Sequence, residues 1–125
     1  MIDHVSVGVS DLGRSARFYE LALAPLGLTR LIERPATVGF GKAYPEFWIN
    51  LRPRMPRVPA ESGNHVCLRA RSTAEIDAFH AAAVEAGGIS DGAPGLRPHD
   101  RVRYYAAFVL DPDGNRIEAV TFPTE

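Results

Sequence analysis

The sequence predicts an α+β protein of two βαβββ modules, whose eight strands form a curved, cup-shaped mixed sheet with the helices outside. Three observations carry this expectation. The chain repeats itself at an offset of 61 residues, each half opens with a period-two strand followed by a capped helix, and a proline-rich segment separates the halves. In the repeat, His4-Val5 falls on His65-Val66, Val7 on Leu68, Phe18 on Phe79, Ala22 on Ala83, Leu23 on Val84 and Gly27 on Gly88.

The first strand, His4 to Val9, sets three valines on one face and His4, Ser6 and Gly8 on the other, because strand side chains alternate. Asp11 is placed to cap a helix over 12–24, which Pro25 and Gly27 stop. Strands are expected near 28–34, 36–41 and 46–52. The second half starts with His65 to Ala70, with Val66, Leu68 and Ala70 on the apolar face. Ser72-Thr73-Ala74-Glu75 reads as a capping box opening a helix over 73–86, which Gly87-Gly88 ends. Strands near 88–91, 101–110 and 115–122 follow, the last two joined at Asp111-Pro112-Asp113-Gly114.

Pro53, Pro56 and Pro59, among Arg52, Arg54 and Arg57, break all periodicity, so residues 53–63 read as a linker between modules 1–52 and 64–125, with its arginines as solvated charge. Ser90 to Asp100, with Gly92, Pro94, Gly95 and Pro98, reads as a long irregular loop able to cover a site. Apolar residues at 46% and charged residues at 23% are ordinary for a folded globular chain and exclude disorder. A net charge of −1 without a basic run argues against nucleic acid. No membrane-length apolar stretch or leader pattern is read, and the single cysteine, Cys67, suits a reducing compartment, so the expectation is a cytoplasmic protein.

Strand phase also brings out a ligand set. His4 and His65 sit opposite the apolar faces of equivalent strands, and Glu118 points the same way if Ile117 and Ala119 face the helices. Two imidazoles and a carboxylate sharing one concavity match the 2-His-1-carboxylate arrangement, which leaves coordination positions open for substrate, water or dioxygen. Against this stands the structural role that a single strand histidine usually has.

Asp3-His4-Val5-Ser6-Val7-Gly8-Val9-Ser10-Asp11, with Ser15 to Tyr19, resembles the opening of vicinal-oxygen-chelate proteins, the glyoxalase, bleomycin-resistance and extradiol-dioxygenase superfamily. Phe108-Val109-Leu110-Asp111-Pro112-Asp113-Gly114-Asn115-Arg116-Ile117-Glu118 resembles its terminal hairpin. The resemblance spans nearly the whole chain and implies His4, His65 and Glu118 as ligands of a divalent ion (Fe2+, Mn2+, Ni2+ or Zn2+), with Glu118 also catalytic. Glyoxalase I-like members add a glutamate on the last strand of module one. Here Asn50 is its nearest counterpart, and its neutral carbonyl binds metal weakly, which favours a three-ligand site or a metal-free cup over lactoylglutathione-lyase chemistry.

Trp48, Asn50, Arg69 and Tyr104 are candidates for substrate contact: Trp48 by stacking on a planar group, Arg69 by pairing an anion or Glu118. Tyr104 and Tyr105 point to opposite faces, one toward the site, and Tyr105 is carried as a catalytic candidate beside His99, a residue type suited to general acid or base work. The expected function is a metal-dependent lyase, isomerase or dioxygenase acting on a small substrate with vicinal oxygens. The alternative is a protein that sequesters a small molecule without metal, as bleomycin-resistance proteins do. Members of the superfamily often dimerise, some building each site across two subunits, so a homodimer is expected.

Overall fold

The computed structural model describes residues 1–124. Its elements follow the repeat: β1 (Val5–Val9), α1 (Leu12–Leu23), β2 (Thr29–Arg34), β3 (Thr37–Gly41), β4 (Pro45–Leu51), then β5 (His65–Arg69), α2 (Thr73–Glu85), β6 (Ile89–Arg97), β7 (Tyr104–Leu110) and β8 (Arg116–Thr121). Two open four-stranded mixed sheets result, in the orders β1-β4-β3-β2 and β5-β8-β7-β6. In each, the first strand lies parallel to the last and the remaining pairs are antiparallel.

Local chemistry sets the helix ends. Asp11 accepts the Arg14 N–H at 3.0 Å and Ser72 the Glu75 N–H at 3.2 Å, each satisfying a donor that the first turn leaves free. Glu75 reaches back to the Arg71 N–H at 2.8 Å, one residue beyond the usual capping-box partner. After α1 a short 3-10 turn, Ala24–Leu26, ends at Gly27 with φ 85, in the left-handed region.

One hydrophobic core serves both modules. Phe18, Tyr19, Ala22 and Leu23 of α1 and Ile76, Phe79 and Ala83 of α2 recur at helical spacing and bury against Phe47 and Ile49 of β4, Val109 of β7 and Ile117 and Ala119 of β8. Each large side chain so buried contributes about 1.5–3 kcal/mol. Val5, Val7, Val66 and Leu68 pack on the same core, so the alternate residues of β1 and β5 lie on the faces away from the helices.

The stretch Ser90 to Asp100 is a strand for most of its length, not a loop. β6 runs to Arg97 at the sheet edge, with register shifts between Ser90 and Gly92 and between Gly92 and Gly95. An edge strand tolerates Pro94 because one side of it needs no ladder hydrogen bond, and bulges absorb the glycines. Arg97 fastens the bulge by donating to Gly95 O and Ala93 O at 2.9 and 2.7 Å. The unpaired loop is residues 98–103, and β7 accordingly starts at Tyr104. Among the described residues, no helix is long and apolar enough to cross a membrane.

Candidate functional site

The open face of the second sheet centres on Glu118. Register pairs Glu118 with Cys67 across β5 and β8 and with Phe108 across β7 and β8. Its carboxyl is nearly sealed, at 3% exposure, while His65 beside it keeps 44%. His65 Nε2 stands 3.1 Å from Glu118 Oε1, and Tyr104 donates its hydroxyl to Glu118 Oε2 at 2.5 Å. That bond, reinforced by burial, holds the Tyr104 hydroxyl above the ordinary phenol range, so it stays a donor. The Cys67 thiol is pushed up to about 12, first by the packing around its sulfur and then by the Glu118 carboxylate, although solvent reaches the residue. So raised, the Cys67 thiol stays protonated and unreactive at neutral pH.

Aromatic layers hold Tyr104 in place. His99 stacks on one face of its ring, with centroids 5.8 Å apart and planes at 14°, and Phe122 meets it edge-on at 5.4 Å. Arg69 lies over Phe122 at 4.6 Å, so its guanidinium is engaged there and makes no ion pair with Glu118. His99 Nδ1 accepts the backbone N–H groups of Arg101 and Val102 at 3.1 and 3.3 Å, which places the proton of the neutral ring on Nε2. Tyr105 faces the other way. Its ring packs on the core and its hydroxyl donates to Asp77 of α2 at 2.7 Å, which removes it from the candidate catalytic groups: the period of two sends adjacent residues to opposite faces.

The open face of the first sheet holds a second constellation. His4, Ser6, Arg34, Thr37, Trp48 and Asn50 line a cavity of about 280 Å³. Ser6 pairs with Trp48 and Gly8 with Asn50 across the parallel β1 and β4. Thr37 lies within hydrogen-bond distance of Ile49 O (2.9 Å) and Asn50 Oδ1 (2.6 Å). His4 precedes β1, is exposed, and has Nδ1 2.7 Å from Asp3 Oδ2. It does not join His65 and Glu118 within the chain. Among the described residues, no three His, Cys, Asp or Glu side chains are grouped to hold an ion. The three expected ligands, His4, His65 and Glu118, are thus not grouped within one chain: strand phase fixes the face a residue takes, but not which sheet's concavity it reaches.

Between the two constellations runs a seam cavity of about 470 Å³, lined by residues of β1 and β5 including Ser6, Gly8 and His65, with Met55 and Asn115. The turn before β8 clamps this seam. Asp113 accepts from Ser10 N at 3.0 Å and from Ser10 Oγ at 2.5 Å, and Asn115 donates to Gly8 O at 2.9 Å. Buried Asp111 accepts the Tyr19 hydroxyl at 2.6 Å together with the N–H groups of Asp113 and Asn115. Burial raises the Asp111 pKa while these bonds oppose the rise, and burial followed by the Asp111 carboxylate raises that of Tyr19. The linker joins the clamp, with Val58 N donating to Asp113 O and Arg57 to Pro112 O, so this arginine is not merely solvated charge.

The donors on the second sheet suit a divalent ion. Nitrogen and oxygen ligands at about 2.1 Å from one centre stand roughly 3 Å apart, and His65 Nε2 and Glu118 Oε1 keep that spacing. A carboxylate this buried also calls for a positive partner. The sequence reading did not single out Arg34, Thr37 or Phe122. Thr37 alternates with the core residue Val38, and this phase was the signal available for it; Arg34, between exposed Glu33 and Pro35, carries no such signal.

The glyoxalase/bleomycin resistance protein/dioxygenase superfamily model matches residues 1–119. A glyoxalase/bleomycin resistance protein from Albidiferax ferrireducens T118 superposes with a TM-score of 0.84 at 32% identity, covering 98% of this chain and 99% of that one. A glyoxalase/bleomycin resistance protein/dioxygenase from Alicyclobacillus acidocaldarius shares the fold at a TM-score of 0.70 and 17% identity, over 98% and 91% of the two chains. A glyoxalase I mutant from Zea mays does so at 0.72 and 23%, over 94% of this chain but 44% of the longer one. Comparison with curated proteins gives no match. With its repeat, sheet order and terminal hairpin all in agreement, the chain belongs to the glyoxalase/bleomycin resistance protein/dioxygenase superfamily.

Proposed function

We propose that this chain is a divalent-metal-dependent enzyme acting on a small substrate with vicinal oxygens, working in the cytoplasm as a homodimer in which His65 and Glu118 of one copy share an ion with His4 of the other. The observation that carries the reading is the 3.1 Å approach of His65 Nε2 to a carboxylate that is otherwise sealed from water. When bound, the ion would act as a Lewis acid on the substrate's adjacent oxygens. Tyr104 holds Glu118 through Oε2 and leaves Oε1 turned to His65. His99, stacked on Tyr104 with its proton on Nε2, offers a hydrogen-bond donor beside that ring rather than a proton to transfer. Each chain offers His4 beside its first sheet and His65 with Glu118 on its second, and a second copy set open face to open face would bring the one to the other two.

Metal analysis of the purified protein after loading with Fe2+, Mn2+, Ni2+ or Zn2+ tests this. A stoichiometric ion in the wild type, lost in both Glu118→Gln and His65→Ala, is expected. A wild type that takes up none of the four leaves the second reading, a metal-free protein that sequesters a small molecule. The cavity around Trp48 favours that reading, since it is lined without a carboxylate and carries Asn50 where a fourth acidic ligand would stand.

A further inference from the structure

The cavity on the first sheet has a polarity that a metal site does not require. No carboxylate lines it, and its uncompensated charge is the Arg34 guanidinium. His4 is met by Asp3, and Thr37 is turned to Ile49 and Asn50. Arg30, on the same strand, shows the contrast: it lies against Glu20 at 2.6 Å and Glu33 at 3.2 Å, whereas Arg34 has no ion pair among the described residues. Arg34 instead stands over the Trp48 ring, 5.7 Å from its centroid. A guanidinium held only by cation–π attraction keeps its planar fork of donors available, and that fork matches a carboxylate at two points.

Trp48 itself is mounted as a platform. It pairs with Gly39 across β3 and β4, where a Cβ would stand 2.9 Å from the indole carbons, so the absence of a side chain lets the ring lie against the strand. Ser6, opposite it on β1, is too small to cover it. At about 280 Å³ the space is just below the roughly 300–1,000 Å³ of drug-sized sites and suits a ligand of about one ring.

We infer that this cavity binds a small planar organic anion, its carboxylate on Arg34 and its plane against Trp48. The inference rests on the functional reading only in taking that anion as the charged end of the substrate; the binding itself needs no metal.

Trp48 is the single tryptophan of the chain, so its fluorescence reports the site directly. Metal-free protein would be titrated with benzoate, with benzamide as the planar neutral probe and cyclohexanecarboxylate as the non-planar anion. Saturable quenching by benzoate, at least about tenfold weaker for both other probes and about tenfold weaker in Arg34→Gln, is expected from the loss of a charge-assisted pair. Arg34 is exposed, and an unchanged circular-dichroism melt verifies that the variant folds. Benzamide or cyclohexanecarboxylate binding as tightly as benzoate, Arg34→Gln retaining full affinity, or no saturable change with benzoate would each overturn the inference. Glu118→Gln separates the two readings: it is expected to lose metal and keep benzoate binding, whereas a wild type that binds benzoate but no metal overturns the enzyme and leaves the anion site standing.

Discussion

Tyr104 shows how a single side chain can set the chemistry of this face. Its hydroxyl occupies one oxygen of Glu118 and leaves the other for His65, while His99 and Phe122 fix the ring from two sides. Groups that orient a ligand in this way contribute about 10–100-fold to metal affinity. Tyr104→Phe is therefore expected to weaken metal binding by that factor in a chelator competition, in a variant that still folds but melts lower for losing a bond to a buried carboxylate; unaltered affinity would remove Tyr104 from the site. Tyr19 makes a comparable bond for stability. Its hydroxyl serves buried Asp111, and Tyr19→Phe is expected to cost about 1.5–3 kcal/mol in urea denaturation. The pKa of Tyr19 is raised in the folded state, so its contribution is complete below the unfolded phenol value near 10 and is lost as pH rises beyond it. Wild-type stability should fall above about pH 10, and Tyr19→Phe should show a shallower fall.

At the scale of elements, the two caps, the helix stops and the alternation of β1, β4, β5 and β8 were all legible, because each depends on residues close in sequence. Asp11 and Ser72 cap as their types and spacing require. β6 was not legible: Pro94 with Gly92 and Gly95 reads locally as a loop, and only its place at the sheet edge, a tertiary fact, allows a strand. Tyr104 and Tyr105 were separable by phase, yet assigning which one faced the site needed the position of α2, whose Asp77 takes Tyr105. The β3–β4 hairpin yields a sharp test. A Cβ at Gly41 would stand 1.9 Å from the backbone oxygen of Tyr44, and no side-chain movement clears a backbone atom. Gly41→Ala should destabilise the fold by at least about 1–3 kcal/mol; a neutral substitution would mean that the hairpin is looser than described.

For the whole molecule, the repeat disclosed the architecture because duplication leaves its mark in sequence register, and it also suggested that His4 and His65 are equivalent. They are equivalent in topology and separate in space. His4 lies with the Trp48 cavity of one sheet and His65 with Glu118 on the other, and the clamp of Asp111, Asp113 and Asn115 fixes the seam between them. A sequence records which face a residue takes but not how two open sheets meet those of another copy. On the proposed function, completing the ligand set falls to a homodimer, and light scattering should then show a dimer at micromolar concentration.

Subunit mixing tests the shared site most directly. His4→Ala and His65→Ala chains would each be prepared alone and then unfolded and refolded together, and bound metal would be measured in the tagged mixed dimer. If the ligands come from two copies, each pure variant fails to bind, while the mixed dimer recovers one intact site, carrying His4 from one chain and His65 with Glu118 from the other. A mixed dimer as empty as its parents, or a His4→Ala homodimer that holds metal as tightly as the wild type, would contradict the account.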